Sequence, residues 1–171
     1  NSEISITAGI YIKSTTEKDD ASGYLMGGNA SEFDGSFEMT NTAGYFQYEQ
    51  ELMPRFSLIL NSRIESSAID YIGESNNYGV DSTTITFSTK DNLAGFKTAV
   101  KYSLSPTDMV YSSISRGYKS GGINQNPYLG SSNRSYEPEF NLNYEAGYKS
   151  ITAASQIQLT FFYMSRQNQQ V

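Results

Sequence analysis

Residues Glu3 to Lys13 read E-I-S-I-T-A-G-I-Y-I-K, with Ile4, Ile6, Ala8, Ile10 and Ile12 in one phase and Ser5, Thr7, Gly9, Tyr11 and Lys13 in the other. Strict alternation with β-branched residues predicts a strand with one apolar and one polar side. The same alternation returns in Phe56, Leu58, Leu60 and Ile64 against Arg55, Ser57, Asn61, Arg63 and Glu65. It returns again in Phe140, Leu142, Tyr144, Ala146 and Tyr148, and in Ile157, Leu159, Phe161 and Tyr163. Around 93–104, Phe96, Val100, Tyr102 and Leu104 oppose Lys97 and Lys101. Runs at about 38–50 and 109–119 are strand-like but less regular, which brings the reading to seven strands and no helix.

The connections alternate in length. Short ones fall at about 51–54, 105–108 and 151–155, and long ones at about 14–37, 67–84 and 120–138. A transmembrane β-barrel sorts its connections this way, with short periplasmic turns and long extracellular loops. Its strands need about 9–11 residues at a tilt of about 45°, which these runs supply. A soluble β-sandwich with one wet face shares the alternation but has no reason to sort its loops. The expected architecture is therefore one antiparallel meander, with Ile4, Leu58, Leu142 and Leu159 pointing outward.

Composition narrows the chemistry. The chain has 12 Lys plus Arg against 18 Asp plus Glu, a net charge of −6, and no Cys, His or Trp. That removes Cys nucleophiles, Ser-His-Asp triads, thiolate or imidazole metal sites and disulfides. A sequence pI near 4.6 argues against nucleic acid as a partner. The mean hydropathy of −0.49 suits a wall in which only alternate residues meet lipid. The 14 Tyr and 9 Phe suit aromatic girdles, with Tyr11, Tyr48, Tyr102, Tyr111, Tyr148 and Tyr163 as candidates. No run approaches the roughly 18 apolar residues of a membrane helix, and no signal peptide is visible. The chain starts at Asn1 and stops just after an apolar run, so it reads as an excerpt or a processed chain.

Residues 109–124 read M-V-Y-S-S-I-S-R-G-Y-K-S-G-G-I-N, followed by Tyr136-Glu137-Pro138-Glu139, by Y-E-A-G-Y-K-S at 144–150 and by Leu159-Thr160-Phe161-Phe162-Tyr163. This order resembles the barrel of TonB-dependent outer-membrane receptors. Ala43 to Tyr48 resembles that family's aromatic strand with a central Gln, and Leu58 to Arg63 its G-L-R strand, with Ser62 in place of the Gly. The resemblance implies part of a barrel of about 22 strands around a plug. Residues 1–171 would then be a partial barrel domain, with the plug, the TonB box and the other strands outside this sequence. It further implies an outer-membrane importer and not an enzyme. The cargo would be a scarce ligand, most often a ferric siderophore, and the energy would come from TonB with ExbB and ExbD through the plug. Outer-membrane lipid is the remaining partner. A passive porin wall and a soluble β-sandwich binding module are the alternatives.

Candidate residues follow. Arg63, Lys97, Arg116, Lys119, Glu139, Glu145 and Lys149 are expected to face the lumen or the plug. Arg116 and Lys119 with Glu137, Glu139 and Glu145 suggest an ion-pair network that holds the plug, or else a ligand contact. Glu139 and Glu145 lie about 20 Å apart on one strand, too far for a catalytic carboxylate pair. Tyr24, Met26, Tyr128 and Arg134 are candidate ligand contacts in the loops, and no resident cofactor or metal is expected. The acidic residues Glu17, Asp19, Asp20, Glu32 and Asp34 lack the spacing of a calcium loop. Gly117, Gly121 and Gly122 lack phosphate-loop spacing and read as glycines required by tight backbone packing at a barrel rim.

Overall fold

In the computed structural model, residues 4–25, 28–77, 82–124, 129 and 133–170 are described. The strands are β1 (Ile4–Leu25), β2 (Gly28–Met53), β3 (Phe56–Asn77), β4 (Thr83–Ser103), β5 (Asp108–Lys119), β6 (Gly122–Ile123), β7 (Ser135–Tyr136), β8 (Glu139–Ile151) and β9 (Gln156–Gln167). Seven form one antiparallel meander in the order β1-β2-β3-β4-β5-β8-β9, and β6 pairs with β7.

One rung shows how faces are assigned. Ile4 pairs with Gln50, Gln50 with Leu58, Leu58 with Val100, Val100 with Ser112, Ser112 with Ala146 and Ala146 with Phe161. Side chains alternate across a strand, so this rung fixes the face of every residue above and below it. Ile4, Leu58, Leu142 and Leu159 share one face, as expected. Ile10 at 79% and Phe161 at 77% relative exposure stand on that face. In water such a surface would be an aggregation liability, whereas against hydrocarbon it is the required one. The other face holds nearly all the burial: Asn41, Ala43, Ser67, Ile69, Tyr71, Ser75, Leu93, Ala99 and Ser113. A single-layer sheet buries one face only by curling toward it or being covered there, so this is the inner face.

The outer apolar band is one membrane thick. On β1 it runs from Ile4 to Ile12, within the strand length a membrane needs. Above it the outer face turns polar on neighbouring strands within about one rung: Thr16 pairs with Glu38 and Glu38 with Asp70, beside Lys18 on β1 and Lys90 on β4. The ladder does not stop there. β1–β2 pairing continues to Leu25↔Gly28, and β3–β4 pairing reaches Ser75↔Thr83. Most of the expected loops at 14–37 and 67–84 are therefore paired strand, and β2 alone is 26 residues long.

The cause is a change of phase. Above the band, Phe33, Phe37, Met39, Ile69, Tyr71, Ile85, Phe87 and Leu93 lie on the inner face, while Glu32, Asp34, Glu38, Asp70, Glu74 and Lys90 lie on the outer one. The outer solvent has changed from hydrocarbon to water, so the apolar set moves to the other side of the same strand. Among the described residues, the third long connection is the one that leaves the sheet, and it carries the β6–β7 pair.

At the opposite end the turns are tight. Arg55, at φ 71°, sits in the left-handed region, and its N–H donates to Glu51 Oε1 at 2.8 Å. In the 104–107 turn, Asp108 accepts from the Ser105 and Thr107 hydroxyls and from Tyr148 at 2.6 Å. These donors, Ser105 foremost, lower the Asp108 pKa well below the usual carboxylate range.

Placing a cation on the outer face should separate band from extension. Phe46→Arg, at mid-band, should cost about 2–4 kcal/mol, and Thr40→Arg, above it, about 0–1 kcal/mol. Urea unfolding of the intact protein in lipid bilayers reads both. For Asp108 the folded pKa is depressed, so the turn's stability is full above the unfolded value near 4 and declines as pH falls below it. Hydrogen exchange at the Leu104 and Ser105 amides, corrected for intrinsic rates, should accelerate on acidification in the wild type and not in Asp108→Asn.

Candidate functional site

The densest polar cluster lies on the inner face where the apolar band ends. Glu65 on β3 accepts from Arg63 Nη2 at 2.7 Å, from Asn41 Nδ2 of β2 at 2.6 Å and from Tyr118 Oη of β5 at 2.9 Å. Arg63 Nε also donates to Tyr118 Oη at 3.1 Å, and its guanidinium lies 4.9 Å above the Tyr11 ring. Asn41 Nδ2 reaches Ser67 Oγ at 3.3 Å. The Glu65 side chain is only 11% exposed, and three donors from three strands satisfy it. A buried carboxylate held this way ties the strands together, because removing any donor strands a charge. Arg63 and Glu65 are two apart on a strand and so share a face, a spacing that marks the pair in the sequence.

Tyr118 completes the cluster by an unusual path. The β4–β5 ladder ends at Phe96↔Arg116, while β5 continues only against β8. Gly95 lies beside that gap, and a Cβ there would sit 3.0 Å from the Tyr118 ring and 3.0 Å from Arg116 O. The absent side chain lets the ring pass over β4 and reach Glu65.

Above this cluster, the described residues around Gly121 and Tyr136 pack against the inner face. Gly121 N–H donates to Asp91 Oδ2 of β4 at 3.0 Å, and Gly121, Gly122 and Ile123 are buried. A Cβ on Gly121 would lie 2.6 Å from Tyr136 O, so close packing, as expected, explains the paired glycines. Burial raises the pKa of the Tyr71 phenol; the Arg134 charge opposes the shift and Asp19 adds to it. Gln170, just after β9, donates through Nε2 to Ser120 O at 3.0 Å and to Glu137 O at 3.1 Å. Lys119, Asn124, Arg134, Tyr136, Glu137 and Gln170 are among the residues lining a polar cavity of about 620 Å³ there.

The candidate residues separate. Arg63, Lys97, Lys119, Glu139, Glu145 and Lys149 share the inner face by register. Arg116 does not. It pairs with Phe96 and Leu142, donates to Ala94 O at 2.7 Å and lies 4.2 Å above the Phe140 ring, all on the outer side. Tyr11 and Tyr111, expected in the girdles, face inward.

The expected ion-pair network is also different. Glu145 accepts from Tyr111 at 2.8 Å, and Glu139 faces Arg166 at 3.8 Å. Arg134 is buried and donates to Leu129 O at 2.7 Å, a contact within its own segment. Tyr24 pairs with Asn29 at the hairpin tip, and Met26 and Tyr128 lie outside the described residues. Among the described residues no group of three acidic side chains is placed to hold a metal ion.

A family model described as TonB dependent receptor-like, beta-barrel matches residues 5–171. No curated protein matches the sequence. The crystal structure of the ferric yersiniabactin uptake receptor FyuA from Yersinia pestis superposes with a TM-score of 0.90 at 21% identity, over 98% of this chain and 26% of that one. The ferric-catecholate import receptor Fiu from E. coli K12 gives 0.64 at 13%, over 96% and 27%. The alcaligin outer-membrane receptor FauA from Bordetella pertussis gives 0.55 at 12%, over 95% and 30%. The chain thus spans between a quarter and a third of these receptors, and at such identities they show the fold.

Tyr118→Phe should leave Glu65 with one donor fewer and loosen the start of the 120–138 segment, at a cost of about 1–3 kcal/mol. Hydrogen exchange in the intact protein should rise several-fold at 119–124 and stay unchanged at β8–β9.

Proposed function

Because this chain belongs to the TonB-dependent receptor-like β-barrel family, we infer that it forms part of the barrel wall of an outer-membrane receptor that imports a scarce ligand against its gradient. The observation that carries this is the two-sided wall: one membrane-high apolar band outside, a polar inner face, and strands that rise beyond the band toward an inward-folded rim. In this reading residues 1–171 are one piece of a barrel whose lumen holds a plug. The cargo class is a ferric siderophore, the cargo named for the structural relatives. Ligand binds from the side of the long hairpins, and TonB with ExbB and ExbD moves the plug, so that the proton gradient supplies the work. Nothing in this cycle makes or breaks a covalent bond in the cargo. It requires binding at the rim to differ between closed and opened states.

The family match over residues 5–171 supports a receptor over a passive porin wall. Gly121 and Ile123 are spent on covering the inner face, and the Tyr118–Glu65–Arg63 cluster fixes the base of that cover.

Uptake of radiolabelled ferric chelates by iron-starved cells tests the reading. Deleting the intact gene should abolish accumulation of at least one chelate, and a protonophore or loss of TonB should do the same. Uptake that persists with the gradient collapsed would mean a passive channel.

A further inference from the structure

Strands tilt as they cross a membrane, so a rung does not stay at one height. The outer apolar run reaches Ile12 on β1 but ends at Tyr163 on β9, where Ser165 and Gln167 follow it. Arg116 pairs with Leu142 and Leu142 with Ser165, so Arg116 stands where this side of the wall turns from apolar to polar. Its guanidinium lies 4.2 Å above the Phe140 ring, and Nη1 donates at 2.7 Å to Ala94 O, a carbonyl beyond the last β4–β5 rung. These contacts hold the fork in one place and leave most of its N–H groups without a partner among the described residues. None of the ion pairs among those residues includes it. A cation beside hydrocarbon is costly unless an anion or water reaches it.

Directly below, on the same outer face, lies an apolar groove of about 640 Å³. The small side chains of Ser112 and Ala146 sit side by side between Val100 and Phe161, and Ile114 and Tyr144 stand on the next rung up. Ser112 Oγ donates to Glu145 O at 3.1 Å, so the floor presents no free hydroxyl proton. Within a membrane such a groove fills with acyl chain, because an empty one forfeits its contacts. Ser112 and Arg116 lie on one strand about 13 Å apart, within reach of a single lipid. The groove alone accepts any chain and the guanidinium alone any anion; together they select a molecule that carries both. We propose that Arg116 and this groove hold one phosphorylated lipid of the outer leaflet, with its phosphate on the guanidinium fork and one acyl chain over Ser112 and Ala146. A guanidinium meets phosphate through paired N–H donors, which a lysine cannot offer. This rests on the barrel-wall reading above, and it gives the wall a specific lipid partner where that reading needs only a solvent.

Photolabelling of the full-length receptor in neutral detergent micelles, read by peptide mass spectrometry, tests this. The probes are phosphatidic acid with a diazirine in one acyl chain and the matching diacylglycerol, which differ only in the phosphate. Phosphatidic acid should label 112–114 and 144–146 about tenfold more than diacylglycerol does. Arg116→Gln should bring it down to the diacylglycerol level, and Arg116→Lys should fall between. Excess inorganic phosphate should leave the labelling unchanged. Equal labelling of the wild type by the two probes overturns the assignment, and that comparison needs no variant to fold. Labelling that survives Arg116→Gln intact overturns it too, and labelling abolished by inorganic phosphate would mean a site for a soluble anion instead. Outer-face labelling that is spread evenly along β1–β9 by both probes overturns the assignment alone. Absence of label from the outer-face residues of every strand overturns the barrel-wall reading with it.

Discussion

A backbone that crosses hydrocarbon meets no water to satisfy its N–H and C=O groups, so every rung must be paired with a neighbouring strand. The rest of this structure depends on that constraint. Among the described residues the register shifts fall at Gly23/Tyr24, near the hairpin tip, and at Glu51/Met53, in a tight turn. Both lie outside the apolar band. Across β1–β2–β3–β4 and β5–β8–β9 the pairing runs rung after rung through the band, while β5 leaves β4 above Phe96↔Arg116, and where the ladders hold alternation can assign each side chain to lipid or to lumen. In the described sheet β1 and β9 each keep one unpaired edge.

Where the constraint relaxes, polar detail takes over. The last rungs of the band and the first above it hold Glu65, Asn41 and Ser67, and the break between β4 and β5 lies just below them. Tyr118 uses that break to join the cluster. The inward segment starts at the next residues and is fastened by Asp91 to β4 and by Gln170, which follows β9. Its position therefore depends on side chains of several strands, not on its own composition.

The band was legible because two solvents act on opposite faces of each strand. Ile4 to Ile12, Leu58, Leu142 and Leu159 need only period two to be placed outside. The extensions were not, because their alternation restarts in the opposite phase: Phe33, Phe37 and Met39 follow no pattern continuous with Tyr48 and Phe46. Arg116 was misplaced for a related reason. A cation in a membrane strand reads as lumenal, but on the outer face the Arg116 guanidinium lies over the Phe140 ring and bonds the Ala94 carbonyl. Glu65 carried its signal, two residues from Arg63, yet its weight as the hub comes from Asn41 and Tyr118, which lie 24 and 53 residues away in sequence. The burial of Arg134 depends on the fold of a segment with little periodicity to read.

The change of phase along β2 and β3 has a use beyond this chain. It marks, within a residue or two and on each strand separately, the height at which hydrocarbon gives way to water. Read strand by strand, it is a ruler for the thickness of the layer in which a wall evolved, and a wall moved to a thicker membrane would have to shift that mark before any other feature.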